Sequence, residues 1–329
     1  MTDITTEPTL ERHLDPDWAH RALVDDVRRG LSRYPLRIPP RWLYDDVGSE
    51  LFDRITRLDE YYPTEAERSV LQREARQIAD LVRADTIVEL GAGTSDKTRT
   101  LLDACWPTGH LTRFVALDVS EPTLRSAARE LAQRYPGLDV HSIVGDFTLH
   151  LDHIPNDTTT LVAFLGSTIG NLYVEERQML LSILAEHLGP DGWLLLGVDL
   201  VKPIERLVAA YDDPHGITAR FSRNVLDVLN RELDADFDPN AFSHVALWDP
   251  TQTRMDLRLR AEGDHHVRIP GADTEIDLFD GDEIRVEIST KFTVPGITSE
   301  LTDAGFTVRQ LWTDPPGDVA LVLASTSTA

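Results

Sequence analysis

Thr86-Ile87-Val88-Glu89-Leu90-Gly91-Ala92-Gly93 is the stretch that decides the fold of this chain. Its first five residues are β-branched or aliphatic around one carboxylate, the composition of a short strand. The glycines that follow make a tight turn, and Ser95–Cys105 continues as a predicted helix. The rhythm repeats downstream, with strands predicted at Phe114–Val119, Val140–Val144, Thr160–Leu165 and Trp193–Val198. A helix opening at Ser120, with Pro122 close behind, ends before Pro136-Gly137. Another spans Val174–His187 and is followed by the turn Gly189-Pro190-Asp191-Gly192. Strands separated by helices are βαβ units, so an α/β, doubly wound parallel sheet is expected.

The end of the chain rejoins this sheet. A helix closes over Leu301–Ala304 at Gly305, and strands are predicted at Phe306–Trp312 and Val319–Ala324. Asp314-Pro315-Pro316-Gly317 between them is too short for a parallel crossover, so the two strands form a hairpin. A parallel sheet ending in one antiparallel hairpin is the layout of class I methyltransferases, an analogy at the level of fold. Residues 203–290 break the rhythm: helical stretches (Ile204–Tyr211, Arg223–Glu232) precede strands (Val245–Trp248, Met255–Arg260, Ile284–Ile288). The expected organisation is an N-terminal helical part of a substrate domain (13–63), a core (64–202), an inserted α+β substrate domain (203–290) and strands completing the core (291–329). Thr64, with Glu67 three positions on, has the spacing of a capping box opening a helix to Val82. The first dozen residues and Ser325–Ala329 read as frayed termini.

Three elements at strand ends carry the cofactor reading. A dinucleotide fingerprint needs a third glycine at position 96, and Asp96 stands there instead. A P-loop would need Gly-Lys-Ser/Thr, which is absent. A glycine turn without phosphate duty suits S-adenosylmethionine (SAM), whose methionine part needs close backbone approach. Asp118, at the end of the second strand, can accept ribose hydroxyl hydrogens, and Asp146-Phe147 pairs a short acceptor with an aromatic face for adenine. Each alone also fits a loop or capping residue; together they stand in order where open α/β sheets bind ligands.

Composition narrows the partners. The 329 residues suffice for a full α/β core plus one addition. A formal net charge of -24 repels phosphate backbones and anionic lipid, so neither nucleic acid nor membrane is an expected partner. Cys105 is the single cysteine, which excludes an intrachain disulfide. No signal peptide or spanning stretch is visible, so a cytoplasmic location is expected. His150/His153 and His265/His266 lack ligand partners at metal spacing, and no metal is expected. No long exposed apolar helix is seen, and a monomer is expected.

Tyr44-Asp45-Asp46-Val47-Gly48-Ser49-Glu50-Leu51-Phe52 and Leu58-Asp59-Glu60-Tyr61-Tyr62-Pro63-Thr64 are too idiosyncratic for a generic helix surface. With Val88–Lys97, Gly145-Asp146-Phe147, Gly166-Ser167-Thr168-Ile169-Gly170-Asn171-Leu172, Leu196–Lys202, Tyr211 and Glu287-Ile288-Ser289, they closely resemble the histidine-specific N-alpha-methyltransferase family over nearly the whole chain. That family makes hercynine for ergothioneine biosynthesis and includes fungal relatives acting on tryptophan-derived amines. The resemblance implies SAM as co-substrate, held by Gly91, Lys97, Asp118, Asp146 and Phe147. It implies L-histidine as substrate, its backbone clamped by Tyr61, Asn171 and Tyr211 and its imidazole read by Glu287 and Ser289. Tyr61 and Asn171 are the residues nearest the reaction, and Leu257 lies near the substrate side chain.

The residues support this on their own terms. Ile284, Val286 and Ile288 alternate with Arg285, Glu287 and Ser289, the period of a strand, which puts Glu287 and Ser289 on one face about 7 Å apart. A carboxylate can accept an imidazole N–H while a hydroxyl serves the other nitrogen, which an indole lacks. The bland alternative is a solvated polar strand face. Asn171 follows the fourth strand, where an amide can bind the amino acid without adding charge. Tyr61 and Tyr211 offer hydroxyls, although buried structural tyrosines are common. Two competing functions remain at this stage: the same fold acting on another amino acid or aromatic amine, and a SAM-binding module without catalysis.

Overall fold

The computed structural model describes residues 7–15, 17–93 and 95–326. In chain order the elements are β1 (Thr9–Arg12), α1 (Trp18–Gly30), β2 (Leu36–Arg37), α2 (Asp46–Ile55), α3 (Pro63–Val82), β3 (Thr86–Leu90), α4 (Asp96–Cys105), β4 (Arg113–Asp118), α5 (Glu121–Arg134) and β5 (Asp139–Val144). There follow β6 (Thr160–Phe164), α6 (Val174–Leu188), β7 (Gly192–Asp199), α7 (Ile204–Tyr211), α8 (Ile217–Leu233), β8 (Phe242–Asp249) and β9 (Arg254–Ala261). The chain ends with β10 (His265–Ile269), β11 (Thr274–Leu278), β12 (Glu283–Thr290), α9 (Val294–Asp303), β13 (Phe306–Thr313) and β14 (Val319–Thr326). Two compact units result: among the described residues, 7–15, 65–200 and 292–326 belong to the first, 17–64 and 201–291 to the second.

The first unit is built on an eight-stranded sheet ordered β1-β5-β4-β3-β6-β7-β14-β13. β3, β4, β5, β6 and β7 run parallel, and β14 and β13 form the expected antiparallel hairpin against β7. Every residue of β3 and β6 is buried, as central strands covered on both faces require. Two apolar clusters, one on Leu71, Ile87 and Phe114 and another on Val88, Phe164 and Leu181, fill the sheet faces. Strand order reverses at β3, so the glycine turn after it opens at the switch point where α/β sheets bind ligands.

Three sequence expectations are corrected. The first dozen residues are not all frayed, because Thr9–Arg12 adds an edge strand parallel to β5, and Arg12 makes two 2.6 Å hydrogen bonds to Glu121. Backbone pairing at a sheet edge needs no hydrophobic pattern, so this strand left little trace in sequence. Ser325 and Thr326 are likewise buried members of β14, while residues 1–6 and 327–329 lie outside the described ones. The Thr64–Glu67 capping box is not formed. α3 already begins at Pro63, and Glu67 is buried with its carboxylate accepting from the Gly166 N–H.

The second unit holds a four-stranded sheet ordered β2-β12-β9-β8 and the separate β10–β11 hairpin, which the sequence reading did not include. α8 packs on this sheet and on α2, and starts six residues earlier than its apolar pattern suggested. The Tyr44–Phe52 motif now has a local physical reason. Asp45 caps α2 by accepting from the Gly48 N–H at 2.8 Å, and it also accepts from Asn224 Nδ2 at 2.7 Å. A Cβ on Gly48 would come within 1.7 Å of the Leu43 carbonyl oxygen, so only glycine fits.

Candidate active site

The cofactor residues gather in the first unit at the ends of β3, β4 and β5. Gly91 and Gly93 have φ of 65° and 48°, the left-handed region that favours glycine. A side chain on Gly91 would approach the Phe147 ring at 3.9 Å, and nothing lies within 4 Å where a Gly93 Cβ would stand. Asp118 Oδ2 accepts from the Gly93 N–H and Oδ1 from the Ser120 N–H, both at 2.9 Å, so this carboxylate is pinned to the turn with lone pairs to spare. Burial raises its pKa, opposed by those backbone N–H groups. Asp146 is fixed in the same way, accepting from the N–H (2.8 Å) and hydroxyl (2.6 Å) of Thr148. Phe147 stands edge-on to Phe164, ring centroids 5.2 Å apart. Glu89 is fully enclosed and its pKa is pushed up to about 7 by burial, opposed by the Thr98 hydroxyl.

The Lys97 ammonium donates to Glu67. Glu67 Oε1 and Oε2 also accept from the Gly166 N–H at 2.8 and 3.0 Å. Gly166 (φ 79°) and Ser167 (φ 57°) make the sharp turn after β6, and Ser167 Oγ accepts from the Asp199 N–H at 2.9 Å. That turn delivers Asn171 at the end of a 3-10 turn over Thr168–Asn171, half-buried. Glycines that admit close approach, an aromatic face and carboxylate acceptors held by backbone N–H groups are a set that fits a nucleoside-bearing cation.

The substrate residues of the second unit also come together. Glu287 and Ser289 are both buried on β12, with Leu257 of β9 directly across from Glu287. The solvated-face alternative therefore fails. Loss of hydration lifts the Glu287 pKa to about 7, which the charge of Lys291 partly opposes. Ser289 Oγ lies 2.9 Å from Tyr211 Oη, and the Lys291 ammonium donates to both oxygens at 2.7 Å. Lys291 also stands 4.6 Å from the Tyr211 ring centroid. Tyr61 and Tyr211 meet edge-on at 6.2 Å, and Phe52 links Tyr61 to Tyr44 through further edge contacts. Tyr44 is 39% exposed as a whole, yet desolvation at its hydroxyl end, followed by nearby Glu287, Tyr61 and Tyr211, raises its pKa.

Sequence reasoning missed Lys291, Glu67 and Tyr44 as parts of these clusters. Lys291 had a signal, since the two-residue period of Glu287 and Ser289 continues to it. Tyr44 stood in a motif without a role. Glu67 had none, because its spacing from Thr64 imitates a cap. No group of three or more His, Cys, Asp or Glu among the described residues is set to hold a metal ion.

Comparison with known proteins decides the family. A family model described as "Histidine-specific methyltransferase, SAM-dependent" matches residues 23–326. The chain belongs to the histidine-specific, SAM-dependent methyltransferase family. Within the histidine-specific methyltransferases, it is 49% identical over 316 residues to a histidine N-alpha-methyltransferase of Mycolicibacterium smegmatis, covering 96% of this chain and 98% of that one. It is 32% identical over 262 residues to ergothioneine biosynthesis protein 1 of Schizosaccharomyces pombe, covering 76% of this chain and 32% of that one. The chain has the class I methyltransferase fold. A solved SAM-dependent methyltransferase from Clostridium acetobutylicum superposes with a TM-score of 0.50 at 12% identity, covering 85% of this chain and 99% of that one.

Proposed function

We propose that this chain transfers three methyl groups, one after another, from SAM to the α-amine of L-histidine, forming hercynine as the first step of ergothioneine biosynthesis. The observation that carries the proposal is the buried Glu287 carboxylate beside the Ser289–Tyr211–Lys291 cluster, in a member of this family. Gly91, Lys97, Asp118, Asp146 and Phe147 are assigned to the cofactor. Tyr61, Asn171 and Tyr211 are assigned to the amino-acid end of the substrate, Glu287 and Ser289 to its ring, and the second unit serves as the substrate domain.

SAM supplies a methyl group on a sulfonium, already reactive toward an amine. The protein's share is orientation and exclusion of water. The amine attacks in its neutral form, so each ammonium must give up a proton before transfer. The names of the relatives from Mycolicibacterium and Schizosaccharomyces support histidine and the ergothioneine pathway, respectively. We assign the protein to the cytoplasm as a monomer. Among the described residues no helix is long and apolar enough to cross a membrane.

Incubation with SAM and histidine, followed by mass analysis, tests the proposal. Gains of one, two and three methyl groups are expected. SAM binding without any gain on histidine would overturn it, and a gain on tryptophan alone would transfer it to an aromatic amino acid.

A further inference from the structure

Glu67 is 2% exposed, and a carboxylate so deeply buried is costly unless it is paired and hydrogen-bonded. Both needs are met within the first unit. The Gly166 N–H donates to its two oxygens, and Gly197 of β7 leaves the carboxylate its room. Glu67 is thereby a charge fixed to a backbone turn. Lys97 of α4 reaches it on a flexible four-carbon stem, and a Cβ on Gly166 would lie only 3.4 Å from the ammonium nitrogen. An ammonium has three donors, so the bond to Glu67 leaves others for a ligand. Glu89 also feels the Lys97 charge, but its contact is the Thr98 hydroxyl.

SAM sets this pair two demands. It carries a carboxylate, an α-ammonium and a sulfonium, and is a net cation; S-adenosylhomocysteine lacks only the methyl group and its charge. A lysine without a counter-charge attracts the carboxylate and repels the sulfonium. We infer that Glu67 is a positioning residue that aims Lys97 at the cofactor's carboxylate and offsets its charge, so that the site takes the carboxylate without opposing the sulfonium. This rests on the assignment of Lys97 to the cofactor. Attraction between an ammonium and a carboxylate in contact survives a second carboxylate nearby, because the contact is short. Repulsion of the more distant sulfonium is a field effect, and Glu67 cancels most of it. An ion pair that only held α3 to α4 would make no distinction between the two ligands.

The test is calorimetric binding of three ligands: SAM, S-adenosylhomocysteine, and methylthioadenosine, which keeps the nucleoside but has neither carboxylate nor charge. Glu67→Gln is expected to weaken S-adenosylhomocysteine about fivefold, through a looser Lys97, and SAM about tenfold more than that. Methylthioadenosine should bind as before, which reports a folded nucleoside site. Equal losses for SAM and S-adenosylhomocysteine would overturn the inference, as would a loss shared by all three ligands. In a Lys97→Met background there is no ammonium to aim, and the effect of Glu67→Gln on S-adenosylhomocysteine should vanish. If Lys97→Met alone leaves that ligand's affinity unchanged, the assignment of Lys97 itself fails and takes this inference with it. A further measurement keeps the pair intact. The chain has three lysines, so nitrogen-15 labelling gives three ammonium signals, with that of Lys97 identified by its loss in Lys97→Arg. Its coupling across the hydrogen bond to a glutamate carboxylate carbon should persist when S-adenosylhomocysteine binds. Disappearance of that coupling on binding would show Glu67 to be a partner that the cofactor displaces, and the inference would fall.

Discussion

At Glu287 the strand period admits two opposite fates, a solvated surface carboxylate or a buried one with a task. Burial decides between them, and it has a thermodynamic consequence. The folded-state pKa is raised to about 7, whereas an unfolded glutamate titrates near its ordinary value. Between those two values the unfolded chain gives up a proton that the folded chain retains, so folding stability falls as pH rises through this window. Below it both forms are neutral and the site costs nothing. Glu287→Gln removes the ionisation, and the substituted protein should be the more stable at pH 8, by on the order of 3 kcal/mol, with the difference vanishing near pH 4. Urea melts of both proteins at several pH values check the sign. A larger gain at low pH than at high pH would show that Glu287 is not the destabilised acid described here. The same substitution should weaken histidine binding, the familiar exchange of stability for a working site.

At the scale of elements, the βα rhythm made the central sheet legible, because buried parallel strands and amphipathic helices leave strong periodic signatures. The terminal hairpin was legible from the short Asp314–Gly317 connection. What escaped depended on tertiary partners that local pattern does not encode: the polar edge strand Thr9–Arg12, the β10–β11 hairpin, and Glu67. This glutamate of α3 reaches the turn after β6 because β7 has no side chain at Gly197. A Cβ there would stand 1.9 Å from Glu67 Oε1. Gly197→Ala should therefore displace the carboxylate from Gly166 and Lys97 and strand a buried charge, costing about 3–5 kcal/mol. In a Glu67→Ala background the obstruction is gone, and the same glycine substitution should cost markedly less. Denaturant melts of the four proteins give the coupling directly. Additive costs would mean that Gly197 is needed for β7 itself and not for Glu67.

For the molecule as a whole, charge is the property that the fold least constrains. There are 56 acidic residues against 32 basic ones, so even complete pairing would leave the net charge at -24. Surface pairs such as Arg134–Asp103 and Arg260–Glu283 gain little individually, since exposed ion pairs are worth about 0–1 kcal/mol. Long-range repulsion among the unbalanced carboxylates acts on the compact state more than on the expanded chain. Two opposed salt effects follow: screening weakens the surface pairs and also weakens the repulsion. The excess of acids makes the second the larger. At pH 8 the melting temperature should rise by a few degrees as ionic strength goes from about 10 mM, where charges interact over ~30 Å, to about 0.1 M, where they interact over ~10 Å. Near the sequence pI of 4.7 the net charge vanishes and only the pair term remains, so added salt should there lower the melting temperature or leave it unchanged. Calorimetric scans at both pH values separate the two contributions. A rise of equal size at both would assign the effect to general salting-out of apolar surface, which does not follow net charge.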